Sequence, residues 1–112
     1  MTDVFGVLAQ NLPAAGTLAN LYTVPPVDQG VSVSSVVFCN QSKTQQAQVR
    51  LSVAITGSPD DPSQYLFYDL VLQPRETRAC VIGITLGTSD VVRAQSDTGQ
   101  VSFSLFGVQI QA

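Results

Sequence analysis

Gln46-Ala47-Gln48-Val49-Arg50-Leu51-Ser52-Val53-Ala54-Ile55-Thr56 decides the fold class. Ala47, Val49, Leu51, Val53 and Ile55 share one parity. Gln46, Gln48, Arg50, Ser52 and Thr56 share the other. A helix would scatter these two sets around its circumference, whereas a strand separates them onto opposite faces. The stretch therefore predicts an antiparallel strand with one wet face and one buried face.

The same period extends in both directions. Val31 to Asn40 puts Val31, Val33, Val37 and Cys39 on one face. Tyr65 to Leu72 puts Leu66, Tyr68, Leu70 and Leu72 opposite Tyr65, Phe67, Asp69 and Val71, so both faces are largely apolar. That predicts a central strand, or one covered by a partner. Thr77 to Leu86 groups Cys80, Ile82, Ile84 and Leu86, and Val91 to Gln95 is a short strand. In Gln100 to Gln111 the apolar parity passes from Val101, Phe103 and Leu105 to Phe106, Val108 and Ile110, which predicts a bulge or bend at Phe106-Gly107. Val4 to Ala9 and Leu18 to Val24 are also strand-compatible.

Turn residues separate these segments: Pro25-Pro26, Asn40-Gln41-Ser42, Gly57 to Pro62, Gln73-Pro74-Arg75 and Asp97-Thr98-Gly99. Seven to eight short strands at this spacing predict an all-β antiparallel sandwich or jelly-roll-like barrel. The chain's 112 residues suit a single domain over 1–112, with 1–12 either its first strand or an N-terminal arm.

Charged residues are only 12% of the chain against 45% apolar, where about 25% charged is usual. Ser, Thr, Gln and Asn must cover the surface instead, as on proteins that live packed against neighbours. Lys43, Arg50, Arg75, Arg78 and Arg93 are scattered, and the net charge is -3, so a nucleic acid partner is not expected. Met1-Thr2-Asp3-Val4-Phe5 has no basic n-region, and no apolar run approaches the roughly 20 residues of a membrane span. We expect a chain made in the cytoplasm with no membrane partner. On that reading Cys39 and Cys80 are free buried thiols. A bridge between them would close a loop of about 40 residues and add on the order of 3–4 kcal/mol.

The chain has no His, which removes the commonest general base and metal ligand. Gly83-Ile84-Thr85-Leu86-Gly87 lacks the lysine and glycine spacing of a phosphate loop. Asp60, Asp61 and Asp69 do not supply the oxygens of a calcium loop. Asp69 and Glu76 could only be a glycosidase pair if a sugar cleft held them at a fixed separation. Cys39 has no activating base, and Asn40-Gln41-Ser42 reads as a turn before it reads as a glycosylation triplet. We therefore expect no enzyme activity, no catalytic residue, no metal and no cofactor. Tyr22, Tyr65, Phe67 and Tyr68 are core aromatics or a platform for a sugar or partner.

Taken in order, Leu21-Tyr22-Thr23-Val24-Pro25, Val37-Phe38-Cys39-Asn40, Tyr65-Leu66-Phe67-Tyr68-Asp69-Leu70, Gly83-Ile84-Thr85-Leu86, Asp90-Val91-Val92-Arg93 and Phe103-Ser104-Leu105-Phe106-Gly107-Val108 form a recognisable string. It resembles the small β-sandwich virion structural proteins of tailed bacteriophages. The resemblance runs from about Leu18 to Ile110, departing at Pro25-Pro26, where a single Pro is more usual. It implies a homo-oligomer, trimer or dimer, located in the virion. Its partners would be the major capsid protein or other virion proteins. The resemblance implies a virion structural role without settling which; the small, neutral, Ser/Thr/Gln-rich domain with surplus apolar strand faces favours a capsid decoration (cement) protein that binds and stabilises the coat lattice. The alternative is a tail, baseplate or fibre-associated module, one version of which binds carbohydrate. The expected contact residues are Val4, Phe5, Val7 and Leu8 of the N-terminal segment, with Tyr65 and Phe67.

Overall fold

The computed structural model describes residues 3–26 and 28–111. Eight strands carry the chain: β1 (Asp3–Asn11), β2 (Ala19–Thr23), β3 (Asp28–Asn40), β4 (Ala47–Ala54), β5 (Tyr65–Leu72), β6 (Thr77–Leu86), β7 (Val91–Ser96) and β8 (Val101–Gln111). Two single-turn 3-10 helices, Ile55–Gly57 and Pro62–Gln64, lie in the β4–β5 connection. No α-helix occurs among the described residues.

The strands form two four-stranded sheets, in the orders β1-β8-β3-β6 and β2-β7-β4-β5. All pairings are antiparallel, and they nest: β4 with β5, β3 with β6, β2 with β7, β1 with β8. The chain is thus one long folded ribbon, bent at the β4–β5 connection and rolled so that successive pairs alternate between sheets. Additional pairings of β3 with β8 and β4 with β7 close the roll. This is the eight-stranded jelly-roll form of the sandwich, so the predicted all-β class holds.

Alternation fills the space between the sheets. Val31, Val33, Val36 and Phe38 of β3 meet Ala47, Val49 and Leu51 of β4, with Val92, Ala94, Val101, Phe103 and Leu105 completing a buried core. Phe38 is its centre. Its ring stands edge-on to Phe103 in its own sheet and to Phe67 in the other, each at 5.4 Å. Edge-to-face pairs of this kind add about 0.5–1.5 kcal/mol beyond area burial.

Four expectations need correction. First, β3 carries an extra residue at Ser34, seen as a register shift against both neighbours. Beyond it Phe38 and Asn40 point inward, while Val37 and Cys39 turn to the outer face and are half-buried. Second, β5 is an edge strand, not a central one. Asp69 adopts φ +57 and the register with β4 shifts there, so Phe67 and then Leu70 and Leu72 face the core. Third, β4 ends at Ala54. Ile55 is 72% exposed and Thr56 has φ +54, which breaks the strand. Fourth, β8 keeps one parity throughout. Val101, Phe103, Leu105 and Gly107 are buried, and Phe106, Val108 and Ile110 lie on the outer face. The bulges belong to its partners, at Ser34 of β3 and Leu8 of β1.

Segment 1–12 contributes the edge strand β1, paired with β8 of its own chain; Met1 and Thr2 lie outside the described residues. The thiols of Cys39 and Cys80 are free, and half-buried instead of buried. Cys80 packs against the core, while Cys39 faces outward beside Thr77, whose hydroxyl donates to its sulfur.

Polar side chains lock both ends of the roll. Asn40, read from sequence as a turn, is buried at the end of β3. Its amide nitrogen donates to the carbonyls of Gln45 (3.0 Å), Gln73 (3.1 Å) and, more weakly, Leu72 (3.4 Å). Its amide oxygen accepts from the Ser42 N–H. One side chain therefore ties β3 of one sheet to the end of β5 in the other. At the opposite end the Asp90 carboxylate accepts from the N–H groups of Thr56 and Gly87, and its carbonyl accepts from Val24.

Two variants test this architecture by urea titration. Leu51→Ala opens a cavity at the centre of the core and should cost about 2–5 kcal/mol; a cost below about 0.5 kcal/mol would contradict the inward assignment of that face. Asn40→Asp removes the donors to three carbonyls and buries a charge, and should cost at least about 2 kcal/mol. A neutral outcome would show that the end lock is not formed.

Candidate interaction surfaces

The outer faces of the two sheets differ in chemistry. On the β1-β8-β3-β6 sheet, register places Phe5 and Val7 of β1 beside Val108 and Phe106 of β8. Next come Ser32, Ser35 and Val37 of β3, then Ala79, Val81 and Thr85 of β6. No described side chain on this face is charged. Phe5 is 77% exposed, Val7 56% and Val81 90%. Gly6 and Gly107 oppose each other in the ladder between the Phe5–Val108 and Val7–Phe106 pairs. Between these pairs lies an open groove of about 400 Å³, lined by these six residues and Ser34. Gly107 cannot be replaced without movement, since a Cβ there would lie 2.2 Å from the Ser32 carbonyl oxygen.

The outer face of the other sheet is charged and aromatic. Arg50 of β4 donates to both oxygens of Asp69 on β5, at 2.7 and 3.2 Å. Its guanidinium carbon sits 4.0 Å from the centroid of the Tyr68 ring, which is itself 60% exposed. Tyr65 stands edge-on to Tyr68 at 5.2 Å, and its hydroxyl donates to Asp60. The hydrogen bond from Arg50 holds the Asp69 carboxyl below its ordinary range and raises the guanidinium in turn. Partial burial, and then the bond to Asp60, pushes the Tyr65 phenol up.

The remaining acidic residues serve their own loops. Asp61 caps the second 3-10 turn by accepting from the Ser63 N–H and hydroxyl, which lowers its pKa. Glu76 accepts from the Gln73 N–H and from Arg78, and is lowered by both. Around Asp60 and Asp61, a cleft of about 510 Å³ is bounded by Val53, Ile55, Ser58 and Gln64. Among the described residues no three His, Cys, Asp or Glu side chains gather where they could hold a metal.

Of the residues anticipated from sequence, Phe5 and Val7 come together on the uncharged face, and Val4 is also exposed. Leu8 and Phe67 pack against the core, and Tyr65 lies half-buried beside Tyr68. Sequence reading did not single out Val81, Phe106 or Val108 as a surface. The available signal was the run Thr77, Ala79, Val81, Gly83 and Thr85, which is free of charge at every outward position of β6.

The Arg50–Asp69 pair makes a pH prediction. Asp69, Asp61 and Glu76 all have lowered pKa values in the folded state. Their contribution to stability is complete above the ordinary carboxylate range of about 4 and is lost as pH falls through the folded values. The melting temperature should therefore be level from about pH 7 to 5 and fall below about 4. Asp69→Asn, which tolerates the left-handed backbone there, should flatten part of that fall. An unchanged profile in the variant would show that the pair is not formed in solution.

No family model and no curated protein matches this chain. Solved structures do. A chain of the T13 IBDV viral particle superposes with a TM-score of 0.56 at 11% identity, covering 98% of this chain and 31% of that one. A chain of infectious bursal disease virus, Gx strain, gives 0.51 at 12% identity, over 98% and 32%. A pentameric capsid protein from metagenomic phage sequences gives 0.42 at 13% identity, over 98% and 59%. The chain thus spans about a third of the length of the first two. What it shares with these two is the fold.

Proposed function

We propose that this chain is a bacteriophage virion structural protein, a capsid decoration protein that binds the coat lattice and stabilises it. The observation that carries the reading is the uncharged outer sheet face bearing Phe5, Val7 and Val81. Interface centres are depleted of charge and enriched in aromatic side chains, and apolar patches of this kind mark association sites. The jelly roll serves viral capsids among other uses, and chains of a viral particle share it with this protein. The partners are the major capsid protein and further copies of this chain. Many weak contacts repeated over a symmetric lattice sum to firm attachment. The sequence holds no His, and Asp60, Asp61, Asp69 and Glu76 are each engaged with a neighbouring side chain or turn. Both facts favour a binding role over a catalytic one. Arg50 and Arg78 are likewise paired with carboxylates, which leaves little for a phosphate backbone.

One observation favours a second reading. The exposed Tyr68 ring backed by Arg50, with Asp69 alongside, is a stacking platform with polar flanks, which suits a sugar ring. A tail, baseplate or fibre module would use it to bind carbohydrate.

Quantitative mass spectrometry of purified particles separates the readings. A decoration protein should be present at on the order of hundreds of copies, a tail component at a few dozen or fewer. Replacing Phe5 and Val7 together by Ser should lower occupancy at least about tenfold. Absence of the chain from particles would overturn the virion role. Retention of full occupancy by the double variant would remove this face from it, and specific binding on a glycan array, lost in Tyr68→Ala, would favour the second reading.

A further inference from the structure

The uncharged face also carries a shape. Val81 of β6 is opposite Ser35 of β3, Ser35 is opposite Phe106 of β8, and Phe106 is opposite Val7 of β1. A protruding apolar side chain at one rim of the sheet and an open groove at the other therefore lie at the same height along the strands. Val81 is 90% exposed. The groove floor is the Gly6–Gly107 pair, walled by Phe5 and Val108 on one side and Val7 and Phe106 on the other.

We infer that this face binds a second copy of the chain, face to face, as an isologous dimer. A twofold axis running along the strands between β8 and β3, in the gap between two facing sheets, sets β6 of each copy over β1 of the other. Both Val81 side chains then seat at the Gly6–Gly107 grooves at once, which is the self-complementarity a twofold requires. Stacked sheets pack about 10 Å apart with strands crossing at roughly 30°.

Charge selects the occupant. The chain carries a net -3, so copies repel through most surfaces. Every described charged side chain lies on the other sheet, in a loop or turn, or at the Arg78 position of the β6 edge facing away from this surface. Asp3 begins β1 opposite Ile110, two residues before Phe5, and Asp28 stands opposite Gln111, so both lie at the margin of the area where the copies meet. Two copies can thus meet here without desolvating a described ion. A charged partner would find no complement. Four strands about 4.8 Å apart and about ten residues long present roughly 600 Å², close to the ~800 Å² per partner of a standard stable interface.

The inference names the neighbour on the face invoked for the proposed function. A dimer in solution needs no particle, so its absence would leave the copy-number result untouched, and absence from particles would leave the dimer untouched.

Sedimentation velocity over a concentration series tests it on the full chain. The wild type should show a reversible monomer–dimer equilibrium. Val81→Asp and Phe5→Ser should each raise the dissociation constant at least about tenfold, and Gln48→Lys on the other sheet should leave it unchanged. Val81 and Phe5 touch little of the core, so circular dichroism should show both variants folded. A second measurement fixes the geometry. Val7→Cys with Val81→Cys, in a Cys39→Ser background, should close a disulfide between copies. Within one copy these positions are three strand spacings apart, about 14 Å, beyond the ~7 Å limit for a bridge. A wild type that stays monomeric to about 1 mM, a dimer indifferent to Val81→Asp, or an intact dimer that forms no such crosslink would each overturn the arrangement.

Discussion

The structure depends on closing two apolar sheet faces over one another, with Phe38 at the point where they meet. Its ring touches Phe103 within one sheet and Phe67 from the edge of the other. The nested pairing makes this closure possible. Each strand pair is a rung of one folded ribbon, and rolling the ribbon brings β8 between β1 and β3 and β7 between β2 and β4. Most contacts in such a roll join residues far apart in sequence, so ordering is costly until the two layers are both in place. Asn40 and Asp90 matter for that reason: each links segments of both layers through a single side chain.

Much of this was legible in the sequence, because period-2 alternation is a direct consequence of strand geometry. The eight segments and their turns appear where the alternation and the Pro, Gly, Asn and Asp clusters put them. What sequence could not show was where alternation resets. Ser34 inserts one residue into β3, and Asp69 takes a left-handed backbone in β5. Each inverts the faces of everything beyond it, so Phe38 replaced Val37 and Cys39 in the core. Neither residue is a glycine or a proline, and nothing local announces the bulge. Asn40 illustrates a second limit. A polar residue beside Gln and Ser reads as a turn, and only the return of Leu72 and Gln73 from a distant segment supplies the carbonyls that bury it.

The candidate surfaces followed the same division. Phe5 and Val7 stood out because an apolar segment before the first strong strand has to face something. Val81, Phe106 and Val108 became a surface only when the sheet order placed β6, β3, β8 and β1 side by side. The resulting asymmetry is informative. One face is neutral, bearing exposed valine and phenylalanine, while the other carries an arginine stacked on tyrosine and paired with aspartate. A chain with two such unlike faces presents two chemically different surfaces to its neighbours.

The central claim is that the neutral face is covered when the protein is assembled. Hydroxyl-radical footprinting, read by mass spectrometry on dilute protein and on intact particles, tests it most directly. Phe5 and Phe106 should be oxidised in the dilute sample and strongly protected in the particle. Equal oxidation of both rings in the two states would contradict the account.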